Sequence, residues 1–259
     1  MSHENEYHDS MVQLLELLWG AGYMAPGGPG NVARLLDGTQ PAGKRILDIG
    51  CGIGGPAREM AAAHGAEVVG IDLEQPLIDK AIADTAAAGL DENVRFERVE
   101  AGPLPFPGDE FDIVVSSGAM TQTPDKPAMF AEVLRVLRPG GHFRCYEWFR
   151  SAADYSGDMH YWFELEGLTY EMVTLEQFAA LLREAGFTDV EVMDASGWYR
   201  AESQCEYELI RGDLYATVVD KLGQADADHF VENWRMLARV CEAGELLQGY
   251  SRGRAPERG

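Results

Sequence analysis

The octet Asp48-Ile49-Gly50-Cys51-Gly52-Ile53-Gly54-Gly55 follows the apolar run Ile46-Leu47 and leads into a helical stretch over 57–63. Glycines at this spacing permit a tight turn and let bare backbone approach a ligand. The natural place for such a turn is between a buried strand and the helix that crosses back over a parallel sheet. Two acids narrow the ligand. Asp48 stands before the glycines, where a pyrophosphate would be repelled and a cationic ligand favoured. Asp72 ends the next apolar run, Val68-Val69-Gly70-Ile71, where a carboxylate can accept both hydroxyls of a ribose.

The same alternation continues downstream. A helix is expected near 76–88, strands at 94–98 and 111–116, a helix over 126–137 and a strand at 142–147. Thr174-Leu175-Glu176-Gln177 reads as a capping box for a helix that stops at Gly186, with a strand at 190–192 after it. A final edge strand is expected at Gly249-Tyr250-Ser251. Strands alternating with helices predict an α/β, doubly wound, mainly parallel sheet of seven strands. The expected division is an N-terminal helical lid at 1–40, a cofactor-binding core at 41–148 and an aromatic-rich substrate cap at 149–173. The C-terminal part of the core with its helices follows at 174–251, then a disordered tail at 252–259. The lid carries a short helix over 10–19 and a Gly/Pro-rich loop from Tyr23 to Gly30.

Apolar residues make up 46% of the 259, enough to fill a sizeable core. With 43 acidic against 21 basic residues, the net charge of −22 argues against binding to nucleic acid or an anionic membrane. Cys51, Cys145, Cys205 and Cys241 form no CxxC pair, which predicts reduced thiols and a cytoplasmic location. No His/Asp/Glu cluster has ligand spacing, so no metal is expected. A small-molecule substrate and a monomer or homodimer complete the expectation.

The octet and Asp72 closely resemble the first motifs of the class I S-adenosylmethionine-dependent methyltransferases, over about residues 44–150. That resemblance implies a Rossmann-like methyltransferase fold with S-adenosylmethionine as cofactor. It implies that Asp48, Gly50, Cys51, Gly52 and Ser117 border the methionine part, and that Asp72 and Leu73 hold the ribose and flank the adenine. Glu100 and Ala101 fall at the adenine end. A narrower likeness, to phosphoethanolamine N-methyltransferases, rests on Trp19 to Gly28, the octet, Val69 to Leu73, Asp125 to Phe130 and Gly249-Tyr250. It implies a lid closing over the cofactor, with Met24 and Ala25 touching it and Tyr23 on the substrate side.

Departures from that family are equally informative. Tyr7 matches its N-terminal tyrosine, but Gln122 stands where a histidine is expected, and a Gln cannot act as a base. Leu168 and Leu237 fall where basic residues would clamp a phosphate, which argues against phosphoethanolamine. Tyr7 and Gln122 are the expected catalytic pair. Glu147, Trp148 and Tyr170 join Tyr23 on the substrate side, within an aromatic group of Tyr146, Phe149, Tyr155, Tyr161, Trp162 and Phe163 suited to a substrate turning cationic. The expected function is N-methylation of a small amine, as in betaine- or choline-type pathways. The alternatives are a small-molecule O- or S-methyltransferase of specialised metabolism and a non-catalytic cofactor-binding protein.

Overall fold

The computed structural model describes Tyr7 and residues 9–257; the expected lid and tail therefore lie partly outside the described residues. Helices α1 (Asp9–Trp19) and α2 (Gly28–Leu35) come first. Then follow β1 (Arg45–Ile49), α3 (Gly55–His64), β2 (Glu67–Asp72), α4 (Gln75–Ala87), β3 (Val94–Arg98) and β4 (Phe111–Ser117). The short α5 (Ala119–Gln122) leads to α6 (Lys126–Val136), β5 (Leu137–Arg150) and α7 (Gly157–Glu166). The chain closes with α8 (Leu175–Ala185), β6 (Thr188–Asp194), α9 (Ser196–Arg211), α10 (Tyr215–Leu222), α11 (Gln224–Glu242) and β7 (Leu246–Arg254).

Local chemistry sets many of these boundaries. Pro29, Pro56, Pro76 and Pro127 lie in the first turns of α2, α3, α4 and α6, where a missing N–H is harmless and a fixed φ suits the helix. The capping box of α8 forms as expected: Thr174 Oγ1 accepts from the Gln177 N–H at 3.1 Å, and Gln177 Oε1 accepts from the Thr174 N–H at 2.9 Å.

The seven strands form one sheet in the order β3-β2-β1-β4-β5-β7-β6, parallel except for β7. Alternation along β1 sends Leu47 and Ile49 to one face, with Val114, Phe130 and Phe143, and Ile46 to the other, with Val68, Ile113 and Met60. Strand order reverses between β1 and β4, which opens a crevice at their carboxyl ends.

Two boundaries differ from expectation. β7 is an interior strand, and Arg252 to Arg254 extend it by pairing with Arg144 to His142 of β5, so the strand fills the slot between β5 and β6 where a disordered tail was expected from 252. The cap is also larger than 149–173. The ten-residue α7 buries only Met159 and Trp162, too little to stand alone. A second core completes it, with Leu14 and Leu15 of α1, Tyr199 and Ile210 of α9, Val218 of α10 and Phe230, Trp234 and Val240 of α11.

Candidate active site

The Gly-rich turn between β1 and α3 needs glycine for separate reasons. Gly50 and Gly52 have φ of 71° and 52°, in the left-handed region. A Cβ on Gly50 would lie 2.3 Å from the Ala119 Cβ, and one on Gly52 would lie 2.9 Å from Met24 Sδ. The turn is thus fitted to the β4–α5 corner on one side and to the lid on the other. Asp72 fixes its height: Oδ2 accepts from the Gly52 N–H at 2.9 Å and Oδ1 from the Glu74 N–H at 3.1 Å. Burial raises the Asp72 carboxyl above its ordinary range, against the pull of these N–H groups.

Above the carboxyl ends of the strands lies a cavity of about 1560 Å³, larger than most single-ligand pockets and able to hold a nucleoside and a second molecule together. Of the residues expected at the cofactor, Met24, Ala25, Gly50, Gly52, Asp72, Leu73, Glu100, Ala101 and Ser117 line it. Asp48 and Cys51 do not. Cys51 turns into the core with Val68 and Phe96, because its side chain follows the strand face rather than the crevice. Asp48 is buried beneath the turn, its Oδ2 without a hydrogen-bond partner, and burial reinforced by Asp72 pushes its carboxyl up to about 7. A buried carboxylate lacking a counter-charge under a cavity fits a cationic ligand above it. Arg98 is the lone Arg or Lys among the described lining residues, and it is paired with Glu100 at 2.6 Å.

The lid is docked. The Gly55 N–H donates to Gly22 O at 2.9 Å, and the Gly22 N–H to Glu16 Oε1 at 2.8 Å. Trp19 Nε1–H reaches Glu206 at 2.6 Å, and Trp234 Nε1–H reaches the other oxygen of the same carboxylate at 3.0 Å. Helix α1 is therefore tied to α9 and α11 through one buried acid, whose carboxyl burial pushes up to about 7.

The expected catalytic pair Tyr7 and Gln122 and the expected substrate-side Trp148 and Tyr170 line the cavity. Tyr23 and Glu147 do not. Tyr23 is buried in the core beside Met60, since its ring is the apolar anchor of the lid loop. Glu147 is fully engaged within the fold. It accepts from the N–H groups of Gly118, Met120 and Thr121 at 3.1, 3.2 and 2.9 Å and from the Thr121 hydroxyl at 2.7 Å, which makes it the organiser of the β4–α5 corner. Of the rest of the expected aromatic group only Tyr146 lines the cavity, where Trp19 and Trp234 join it; Phe149 and Trp162 are core, and Tyr161 is exposed.

Sequence reasoning missed Glu166. It ends α7, lines the cavity, and accepts from Tyr170 Oη–H at 2.8 Å and Asn233 Nδ2–H at 2.8 Å. The available signal was an acid set just before the helix-stopping Gly167, four residues from Tyr170, in an otherwise aromatic segment. Trp148 and Tyr170 stand with ring centroids 6.0 Å apart, and Trp162 stacks behind Tyr170 at 5.3 Å. Leu168 and Leu237 also line this end.

Comparison with known proteins gives consistent results. Residues 46–141 match the model of a methyltransferase domain. The chain is 33% identical over 207 residues to 27-O-demethylrifamycin SV methyltransferase of Amycolatopsis mediterranei, covering 74% of this chain and 76% of that protein. It is 27% identical over 245 residues to phosphoethanolamine N-methyltransferase 1 of Arabidopsis thaliana, covering 94% of this chain and 49% of that protein, so it spans about half the length of this relative. Haemonchus contortus phosphoethanolamine N-methyltransferase 2, solved with phosphomonomethylethanolamine and S-adenosylhomocysteine, superposes with a TM-score of 0.91 at 25% identity, covering 98% of this chain and 59% of that one.

Proposed function

The chain belongs to the class I S-adenosylmethionine-dependent methyltransferases, and from that premise we propose that it methylates the nitrogen of a small amine carrying no phosphate. One observation carries the reading: the substrate end of the cavity offers a carboxylate, Glu166, with the rings of Trp148 and Tyr170, and presents Leu168 and Leu237 where a phosphate would need cations. Burying a dianion there without partners would cost several kcal/mol. Bound S-adenosylmethionine supplies an electrophilic methyl group on a positively charged sulfur.

The chain's own residues do the rest. Asp72 receives the ribose hydroxyls, Leu73 and Ala101 flank the adenine, and Glu100 stands at its outer edge. Gly50, Gly52 and Ser117 border the methionine part, with the field of Asp48 below. Met24 and Ala25 close from above, and the docked lid excludes water. Tyr7 and Gln122 orient the acceptor. A Gln cannot act as a base, and the amine enters with its lone pair free and reacts through placement. A cytoplasmic setting is part of the proposal. A monomer or homodimer suits the arrangement.

A second reading, transfer to the hydroxyl of a specialised metabolite, is favoured by the 33% identity to 27-O-demethylrifamycin SV methyltransferase. Incubation with labelled cofactor and a panel of glycine-type amines, ethanolamine, phosphoethanolamine, phenols and thioethers separates these. Labelled product is expected from phosphate-free amines. Product from phosphoethanolamine or hydroxyl acceptors alone would overturn the proposal, and cofactor binding without any product would leave only the non-catalytic alternative.

A further inference from the structure

The carboxylate of Glu166 has one hydrogen bond on each oxygen, from Tyr170 and Asn233, and lone pairs to spare on both. It sits in the cavity rather than in an ion pair. Among the described residues no Lys or Arg is within salt-bridge distance of it, and the one basic residue lining the cavity, Arg98, bonds Glu100 and the Leu73 carbonyl at the nucleoside end. Trp148 and Tyr170, their ring centroids 6.0 Å apart, line the same cavity. A carboxylate and two aromatic rings in one largely apolar chamber are complementary to an alkylammonium head.

We infer that Glu166 is the specificity-determining residue of the acceptor chamber, holding the methylammonium head as it becomes cationic and rejecting acceptors with an added anionic group. The inference rests on the N-methylation reading. As the nitrogen lone pair forms the new N–C bond, the S–C bond breaks with its electron pair passing to sulfur, so the positive charge moves from sulfur to nitrogen. Glu166 stabilises that charge where it arrives, which is binding strengthened along the reaction rather than at its start. Tyr170 has two tasks, since its hydroxyl orients the carboxylate and its ring forms a wall. Burial raises the Glu166 carboxyl above its ordinary range, against the hydrogen bonds from Asn233 and Tyr170 and the field of His229, which favour the ionised form.

The test uses binding as well as turnover. Calorimetry on the S-adenosylhomocysteine-loaded protein compares choline with its uncharged isostere 3,3-dimethyl-1-butanol, and both with phosphocholine. Choline is expected to bind at least about tenfold tighter than either. Equal binding of choline and the isostere, or tighter binding of phosphocholine, would overturn the inference without any variant having to fold. In E166Q the preference for choline over the isostere should disappear, while affinity for S-adenosylhomocysteine changes by less than about twofold because the nucleoside end is untouched. E166D should recover part of the preference. An amine methylated with the same kcat/KM by E166Q as by the parent protein would overturn this inference and leave N-methylation standing. A charge preference abolished by E166Q, in a protein that methylates no amine, would uphold Glu166 as a cation site and overturn the reaction.

Discussion

Gly50 and Asp48 show how far a single position is determined by what lies beside it. Gly50→Ala must place a Cβ 2.3 Å from that of Ala119 at a φ of 71°, so the β4–α5 corner has to move. Cofactor affinity, read by calorimetry, is expected to fall at least about tenfold, while a surface control such as Gly89→Ala, at a φ of 69° with nothing near its Cβ, affects stability alone. Asp48 gives a pH signature. Its folded carboxyl titrates at about 7, above the 3.8 of an ordinary aspartate, so its neutral form is the one the fold favours. The stability it contributes is complete below about 3.8 and is lost as pH rises through about 7. Asp48→Asn should therefore be more stable than the parent at pH 8, by up to about 4 kcal/mol, with the gap closing towards pH 4 in denaturant titrations. Binding of a positively charged sulfur nucleoside favours the ionised form, so cofactor affinity should rise from pH 6 to 8 in the parent and lose most of that dependence in Asp48→Asn. That Gly50, Gly52 and Asp72 come together at one cavity was legible in the sequence because spacing and strand position determine it. That of Glu147 was not, since an acid ending a core strand reads the same whether it faces a ligand or, as here, the N–H groups of its own next turn.

Elements were legible where a local chemical signal marks their ends. The proline starts of α3, α4 and α6 and the Thr174 capping box belong to this class, whereas α2 begins at Gly28 within the stretch expected as a loop to Gly30. The assignments of α7, α9, α10 and α11 to one cap were not legible, because they depend on contacts between distant segments. Trp19 and Glu206 are 187 positions apart, yet their hydrogen bond ties the lid to the cap. Trp19→Phe keeps the ring's bulk and removes the donor, leaving Glu206 with Trp234 alone. The expected loss is about 1–3 kcal/mol of stability, together with faster hydrogen exchange in α1. Unchanged exchange in α1 would show that the tie does not hold the lid. Glu147→Ala leaves the N–H groups of Gly118, Met120 and Thr121 without this acceptor, and should cost at least about 3 kcal/mol in chemical denaturation.

At the scale of the whole molecule, one cavity joins the two halves of the account. Its floor is the sheet's switch point, its roof is α1 with the Met24–Pro26 loop, and its far wall is the cap with Trp148, Tyr170 and Glu166. The parallel sheet and the nucleoside end could be read from periodicity and the two acids. Of the far wall, Trp148 and Tyr170 were expected from the sequence, but Glu166 was not, because its partner Asn233 on α11 meets it only after folding. The account requires a nucleoside at one end of this cavity and an alkylammonium at the other. A crystal structure with S-adenosylhomocysteine and choline tests that most directly. It should show the ribose hydroxyls on Asp72, the sulfur facing the chamber, and the trimethylammonium head against Glu166, Trp148 and Tyr170. A nucleoside seated away from Asp72, or a choline head remote from Glu166, would contradict it.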